Sequence, residues 1–345
     1  MRQKQTEFTY MRGMAILLIV AGHSVYNSGE GFPAMLENLV RGGTALFVFI
    51  SGYFFHRVFY PRFEYRGFMS NKIRNVALPF LWVSLAGLLL LIAEWYWLKG
   101  HSPQAILLDC WYTVRNGYVL FPHWYVPFIM AVFAISPVFI AYIRLARSWR
   151  TGLLLLLMVT AMLLHRPIGN VNVLQSLVYF TPFYLLGILY SQEEVVVKRL
   201  SVPLNVLAWL GLILSLWVQT NIDGHVGNYH KDAWVYGGID WQFVQKFCLC
   251  ILVLKGCELL TRIGEFPWLE RVADMSFAIF FLHPIFSMLF GDACQLLHFK
   301  LAPGSALTSV ALSIGIFLML LFFSMWSAMG IKKGLGDRSR QWIGW

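Results

Sequence analysis

Ten long apolar blocks separated by short polar segments constrain this chain more than any other feature. A helix of about 20 apolar residues spans the hydrocarbon core of a bilayer. Because 58% of the residues are hydrophobic, 13% are charged and the mean hydropathy is +0.63, a soluble enzyme and a disordered chain are both excluded. The blocks cover residues 11–28, 42–60, 75–98, 119–143, 151–165, 173–190, 202–219, 242–261, 273–296 and 306–331.

These blocks predict an all-α fold, a polytopic membrane helix bundle of about ten transmembrane helices. The fifth block is short, and the eighth carries Lys246 and Lys255, so these two are the weakest of the series. We expect a single integral-membrane domain over residues 1–345 with no fused soluble domain. The first block continues through His23 to Asn27 without a small-residue cleavage site, which indicates a retained helix and not a signal peptide.

The distribution of Lys and Arg between the loops predicts the orientation of the bundle. With the N-terminus inside, roughly three times as many fall in cytoplasmic segments as on the opposite side. This asymmetry predicts that both termini are cytoplasmic and that the number of crossings is even. The net charge of +10 is therefore assigned to cytoplasmic loops, and no nucleic-acid partner is expected.

Arg12 and His23 are the polar residues that stand out in the first block. Eleven residues at 100° each end about 20° beyond three full turns, so both side chains lie on one helix face, about 16 Å apart along the axis. Arg12 is typical of a cytoplasmic anchor, and His23 is typical of a hydrogen-bonded histidine between helices. Together on one face, they favour the lining of a cavity.

The second block, GGTALFVFISGYFFHRVF, is rich in small residues that let helix backbones approach closely. Its Ser51 is also a candidate nucleophile for an intramembrane hydrolase, although FISG lacks the glycine that precedes the serine in such enzymes. A basic segment from Arg57 to Arg74 follows. It is either a topology signal or a binding site for the phosphates of an anionic cytoplasmic cofactor, for which Lys72 and Arg74 are the best candidates.

Proline interrupts several later blocks, beside His123 and Trp124 in PHWYVP and beside His283 in FLHPIF. Proline within a span frees a carbonyl group, which is tolerated where the backbone lines protein or a wet cavity. No histidine pair has the close spacing of a metal site, and no glycine-rich phosphate loop is visible. The five cysteines form neither a disulfide framework nor a zinc motif.

With these landmarks in this order, the sequence resembles the acyltransferase 3 family of bacterial integral-membrane acyltransferases. The matching features are Arg12-x10-His23, FVFISGYFF, and NKIRNVALPF with Lys72 and Arg74. HWYVPFIM, YFTPFYLLGILY and SFAIFFLHPIF follow, and together the strings cover most of the chain.

The resemblance implies an O-acyltransferase, usually an O-acetyltransferase, of the bacterial inner membrane. It would move an acyl group from cytoplasmic acetyl-CoA or another acyl-CoA to a hydroxyl of a cell-surface polysaccharide or lipid-linked sugar, without a metal. Arg12, Lys72 and Arg74 would bind the donor, and His23 with Arg12 would be catalytic, His23 as general base. Direct transfer and an acyl-enzyme both remain open. The substrate cavity would be lined by Ser51, Tyr53, His123, Trp124, Ser276 and His283.

Two points are left open by the sequence. A carboxylate that orients His23 is expected on the logic of catalytic triads, with Glu30, Glu94 and Asp109 as unranked candidates. The alternative function is a polytopic transporter of a glycan precursor or of a proton-coupled solute. Against it, no internal symmetry relates the two halves of the sequence. Membrane lipid is an expected partner under either function.

Overall fold

The structure is a computed structural model that describes residues 5–299 and 304–345. In these ranges the chain is helical, and the one extended pairing is an isolated parallel bridge between Arg166 and His230. The α-helices are α1 (Thr6–His23), α2 (Ala34–Val40), α3 (Gly43–Phe54), α4 (Tyr65–Lys72), α5 (Leu78–Ala93), α6 (Pro103–Arg115), α7 (Tyr125–Ala134), α8 (Ser136–Arg144), α9 (Arg147–Leu164), α10 (Val173–Gln192), α11 (Glu194–Arg199), α12 (Ser201–Trp217), α13 (Trp241–Ile263), α14 (Pro267–Asp274), α15 (Ser276–Leu296), α16 (Ala306–Leu335) and α17 (Ser339–Ile343).

Short π-helical and 3-10 turns extend several of these helices. The π turns matter because an inserted residue rotates the side chains that follow it relative to those before it. One of them joins α4 to α5 directly after Lys72. The π turns are Phe55–Phe59, Ile73–Ala77, Glu94–Leu98 and Val218–Ile222, and the 3-10 turns are Tyr60–Arg62, Phe121–Trp124, Ile168–Asn170 and Gly336–Arg338.

The predicted all-α membrane architecture is confirmed. Among the described residues, seven helices are long and apolar enough to cross a membrane, and eight if the bent pair α7 and α8 forms one crossing. The short fifth block is one of the seven, as α9. Two further predicted blocks, α1 and α13, are 18 and 23 residues long. They do not qualify on composition, because each carries several charged or polar side chains.

Helices α3 and α10 pack with their backbones in close contact. A Cβ atom at Gly52 of α3 would overlap the carbonyl of Tyr184, and one at Gly187 of α10 would overlap the carbonyl of Phe49. The small residues of the second block therefore do have the packing role that their composition indicates. This contact fixes α3, and with it the helix turn that carries Ser51, against α10.

Helix α1 lies at the centre of the bundle, where it packs against α3, α13, α14, α15 and α16. Gly13 allows α14 to come close, since a Cβ there would lie 2.6 Å from the Leu269 side chain. Because α1 is surrounded in this way, its polar residues face other helices and the spaces between them. The candidate functional site is built on this helix.

Candidate active site along the first helix

A cavity of about 380 Å³ lies beside the N-terminal half of α1. We call it the Arg12 cavity. Its polar lining combines cationic side chains with two asparagines and the Ser51 hydroxyl, which suits the phosphates of an anionic ligand. The residues around it are Phe8, Thr9, Arg12, Phe47, Ile50, Ser51, Phe54, Val58, Phe59, Asn71, Lys72, Asn75, Val76, Tyr125, Ile129, Phe133, Phe277, Arg340 and Gly344.

Of the two basic candidates that precede the third block, Lys72 lines the Arg12 cavity and Arg74 does not. The Lys72 Nζ atom lies over the rings of Phe59 and Phe133, at 4.7 and 4.4 Å from their centroids. Arg74 lies two residues further on, in the π turn Ile73–Ala77, and its side chain is exposed. The structure thus separates two residues that the sequence grouped as a donor site.

Arg12 sits at the mouth of this cavity, where its guanidinium Nη2 is 3.2 Å from an Asp274 carboxylate oxygen. The Arg12 Nε atom is buried without a hydrogen-bond partner. Arg340 is a third cation of the lining, and sequence reasoning missed it. Trp342 of the same short helix, α17, stacks on Trp82 with ring centroids 4.5 Å apart, which holds α17 against the cavity mouth.

A constriction follows the Arg12 cavity along α1. It is a void of only about 10 Å³, whose lining includes Ile19 and Ser276 together with aromatic rings. Phe47, Tyr125 and Phe277 belong both to this constriction and to the Arg12 cavity. Ile19 belongs both to the constriction and to the next polar pocket. The spaces therefore form a series along one helix face, narrowed at its middle by side chains.

His23 ends α1 and lies between two further cavities. One, of about 410 Å³, is shared with His283 and is otherwise largely apolar, with Leu91, Leu120 and Phe121 among its lining. The other is a polar space of about 70 Å³. His23 therefore lines the series at the end opposite Arg12, as the 11-residue spacing predicts.

The imidazole of His283 lies beside that of His23, with ring centroids 5.5 Å apart. Its Nδ1 lies 2.8 Å from the carbonyl oxygen of Ile279. Because a carbonyl can only accept, Nδ1 carries the proton, and Nε2 keeps its lone pair. That Nε2 atom is buried without a hydrogen-bond partner. A polar atom is thus available beside His23 for a substrate or for His23 itself.

The polar space beside His23, which we call the His23 pocket, is lined in part by polar groups that the sequence did not single out. These groups come from the C-terminal end of α2, the α9–α10 loop and the α12–α13 loop. Arg41 and Arg166 are the charged side chains among them. Burial lowers the pKa of Arg166 to about 10, so its guanidinium stays charged at neutral pH. Burial, and next the charge of Arg166, lowers the pKa of His230 to about 4, so this imidazole is neutral. The pocket is a cationic environment.

Four of the remaining predicted residues have distinct positions. Trp124 lines the His23 pocket, and Ser276 lines the constriction. Tyr53 lines none of the cavities described above. Its ring stacks on that of Phe8 with 3.7 Å between centroids, and its hydroxyl accepts a hydrogen bond from Gln5. Tyr53 therefore faces the N-terminal end of α1, whereas Ser51, on the same helix, faces the Arg12 cavity.

His123 is fully buried and also lies outside the cavities described above. Its Nε2 is 3.3 Å from the carbonyl oxygen of Phe281, and its ring packs among the rings of Phe80 and Phe280. The adjacent Trp124 takes the cavity-lining position instead, because the 3-10 turn directs consecutive residues to different sides. His123 therefore joins the turn before α7 to α15.

None of the three candidate carboxylates contacts His23. Glu94 is paired with Lys99 at 2.7 Å, and Asp109 is paired with His101 at 2.9 Å. Glu30 is exposed in the loop after α1. The titratable ring that packs against His23 is that of His283.

Ser51 donates a hydrogen bond to the carbonyl of Phe47 at 2.8 Å. In the part of the chain that the structure describes, no histidine is hydrogen-bonded to Ser51, so the arrangement of a serine hydrolase is not formed. Nor do three His, Cys, Asp or Glu side chains cluster as a metal site requires within residues 5–299 and 304–345.

Comparison with protein families gives one assignment. The acyltransferase 3 family model, described as an acyltransferase domain, matches residues 5–330. The match includes the lining residues of all four spaces described above, except Arg340 and Gly344 of the Arg12 cavity. No curated protein and no solved structure matches the chain.

Proposed function

Because this chain belongs to the acyltransferase 3 family of membrane acyltransferases, we propose that it moves an acyl group, in the first instance acetyl, from cytoplasmic acyl-CoA to a hydroxyl of a cell-surface polysaccharide or lipid-linked sugar. The observation that carries the proposal is the series of cavities along α1, which begins at cations and ends at a histidine. A thioester donor with a polyanionic end and a long neutral arm fits such a series.

In the proposed complex, the donor phosphates bind Arg12, Lys72 and Arg340 at the wide Arg12 cavity. The pantetheine arm then runs toward His23, a distance along α1 of about 16 Å at 1.5 Å per residue. To pass the constriction, the rings of Phe47, Tyr125 or Phe277 rotate away from the path. The neutral arm suits this apolar section, since it carries no charge to desolvate.

At the far end, His23 takes the proton of the acceptor hydroxyl as its oxygen attacks the thioester carbonyl carbon. The new carbon–oxygen ester bond forms, the carbon–sulfur bond breaks, and the proton held by His23 passes to the departing CoA sulfur. His283, whose Nε2 lone pair is free, positions His23 or the acceptor. If the acyl group rests first on a residue of the chain, free CoA appears in a burst before acceptor is added.

The proposal also assigns the membrane arrangement. The protein crosses the bacterial inner membrane ten times, with α1 and α13 as crossings whose polar residues face the interior of the bundle. Both termini are cytoplasmic, which exposes the Arg12 cavity to cytosolic acyl-CoA. A charged residue in a span costs about 2.5–3.5 kcal/mol near its centre on insertion scales, and a site inside the bundle is the usual reason for keeping one.

The proposed function is tested with the purified full chain in liposomes supplied with acetyl-CoA and an envelope glycan acceptor. We expect free CoA thiol to be released in proportion to ester formed on the glycan, measured by thiol titration and mass spectrometry. A transporter of glycan precursors would leave the thioester intact, and that result would overturn the proposal.

Lys72→Met and Arg74→Met form a matched pair that tests the donor end. Lys72→Met removes a cation from the Arg12 cavity and keeps the stem length, so we expect the KM for acetyl-CoA to rise about tenfold. Arg74→Met removes an exposed charge outside the cavity, so its KM should stay within about twofold. Steady-state kinetics in acetyl-CoA decide between them, and equal effects of the two substitutions would contradict the assignment of Lys72.

A further inference from the structure

The His23 pocket contains a buried guanidinium that the fold leaves without a carboxylate partner. Arg166 is 5% exposed, and its Nη2 donates to the Oδ1 of Asn170 at 2.8 Å. Its guanidinium lies over the Trp124 ring, 4.8 Å from the centroid. Its Nε is buried without a hydrogen-bond partner. Within the described ranges, no carboxylate accepts a hydrogen bond from this side chain.

The other charges near the pocket are already offset. Arg41 forms an ion pair with Glu37, whose carboxylate is buried and also accepts from Ser28 at 2.8 Å. Asp240 accepts from the Tyr179 hydroxyl at 2.9 Å and interacts electrostatically with Lys246 as well as Arg166.

Lys246 in turn donates to the Oδ1 of Asn228, a residue of the pocket wall. Asp240 is therefore shared between Lys246 and Arg166, and within the described ranges Arg166 has no hydrogen-bonded carboxylate of its own. A buried cation without a hydrogen-bonded anion is costly unless a ligand provides one.

The neighbouring groups make this a built site. Asn170 and Asn228 offer amide groups, and His230 is fixed by its Nδ1, 2.7 Å from the carbonyl oxygen of Pro167. The isolated bridge between Arg166 and His230 holds together two loops that are distant in the sequence. The space of about 70 Å³ admits several water molecules, and so admits a carboxylate or phosphate group, but not a whole oligosaccharide.

We propose that the His23 pocket binds an anionic group of the acceptor, so that the acceptor is an acidic sugar carrying a carboxylate or a phosphate close to the hydroxyl that receives the acyl group. This rests on the proposed function. His23 and Phe121 line both the His23 pocket and the larger cavity beyond. An acceptor anchored at Arg166 thus presents a neighbouring hydroxyl to His23 and extends into the larger cavity. The planar guanidinium pairs with either anion in bidentate geometry.

The test measures ligand binding without requiring transfer. The thermal unfolding midpoint of the full chain in detergent is recorded with methyl glucuronide, with glucose 1-phosphate and with neutral methyl glucoside at equal ionic strength. We expect at least one acidic sugar to raise the midpoint by about 1–3 °C at ten times its dissociation constant. The neutral glycoside should leave it unchanged. The comparison of carboxylate and phosphate arms identifies which anion the pocket takes.

Arg166→Gln should weaken acidic-sugar binding at least tenfold, and Arg166→Lys, which keeps the charge but not the fork, should be intermediate. Arg115→Gln, an exposed arginine at the end of α6, is the matched control and should bind as the parent protein does. The proposal is overturned if the neutral glycoside stabilises the protein as well as the acidic sugars do, or if Arg166→Gln keeps the full shift. If Arg166→Gln does not fold, the comparison of sugars on the parent protein still decides.

The sugar-binding test and the acyl-transfer assay can each contradict one proposal without contradicting the other. Binding of acidic sugars without CoA release would leave this site standing and remove the acyltransfer mechanism. CoA release with neutral acceptors only, and no acidic-sugar shift, would leave the mechanism standing and remove this site. A loss of transfer in Arg166→Gln with unchanged acidic-sugar binding would assign Arg166 to the reacting carbonyl and would overturn the acceptor proposal.

Discussion

Replacing His23 by Ala is expected to lower the rate of acyl transfer by about 10²–10⁴-fold, the usual contribution of a general acid or base. The ring lies between the two cavities at the end of the series, where donor thioester and acceptor hydroxyl would meet. In the described ranges its ring packs against the rings of Phe121 and His283, each 5.5 Å between centroids. Because no hydrogen bond among the described residues involves the His23 ring, the variant should insert and purify normally.

The measurement is single-turnover transfer with acetyl-CoA and acceptor both saturating, so that weakened binding is not mistaken for lost chemistry. His101→Ala is the matched control, since His101 is a half-exposed histidine that is paired with Asp109 and lines none of the cavities described above. It should retain the parent rate. A His23→Ala variant that esterified its acceptor at the parent rate would show that another group removes the proton.

The sequence predicted the parts of the site that lie on one helix or in one apolar block. Arg12 and His23 share a face because of helical geometry alone, so their joint lining of the cavity series follows from an 11-residue spacing. The close packing at Gly52 follows from the small residues of its block in the same way. Local periodicity is readable without knowledge of the tertiary structure.

The features of the candidate site that the sequence did not predict depend on contacts between distant segments. Arg166 and Arg41 were interpreted only as loop charges that indicate orientation, and the bridge between Arg166 and His230 that creates the His23 pocket joins residues far apart in the chain. Arg340 enters the Arg12 cavity because α17 folds back through the stacked pair of Trp342 on Trp82. No spacing rule connects such segments in advance.

The three carboxylates that we predicted as candidates to orient His23 do not lie beside it, for a related reason. Triad logic supplies a chemical expectation but not a position, and Glu94 and Asp109 each have a basic partner close in the sequence. His283 follows a proline-containing segment that the sequence did mark as unusual. The sequence therefore marked the segment around His283 as unusual, but nothing in it indicates that α15 brings this ring to the end of α1.

Replacing Arg12 by Ala is expected to raise the KM for acetyl-CoA by about 10- to 100-fold with kcat nearly unchanged. A hydrogen bond to a charged group contributes about 1.5–3 kcal/mol, and each 1.4 kcal/mol is a factor of ten in affinity. Arg12 lies at the cavity mouth with Asp274 as its carboxylate partner, and Asp274 is largely exposed, so a phosphate can replace it. Steady-state kinetics with acetyl-CoA as the varied substrate measure the effect.

The donor itself provides the sharpest control, because S-acetyl-pantetheine has the reactive thioester but no phosphate. If Arg12 binds donor phosphates, the parent protein and Arg12→Ala should use S-acetyl-pantetheine equally well, and the difference between them should appear only with acetyl-CoA. Arg271→Ala, an exposed arginine on α14 outside the cavity lining, should match the parent with both donors. An equal loss with both donors would place Arg12 in support of the fold or of the chemistry, and would move the phosphate site to Lys72 and Arg340 at the same mouth.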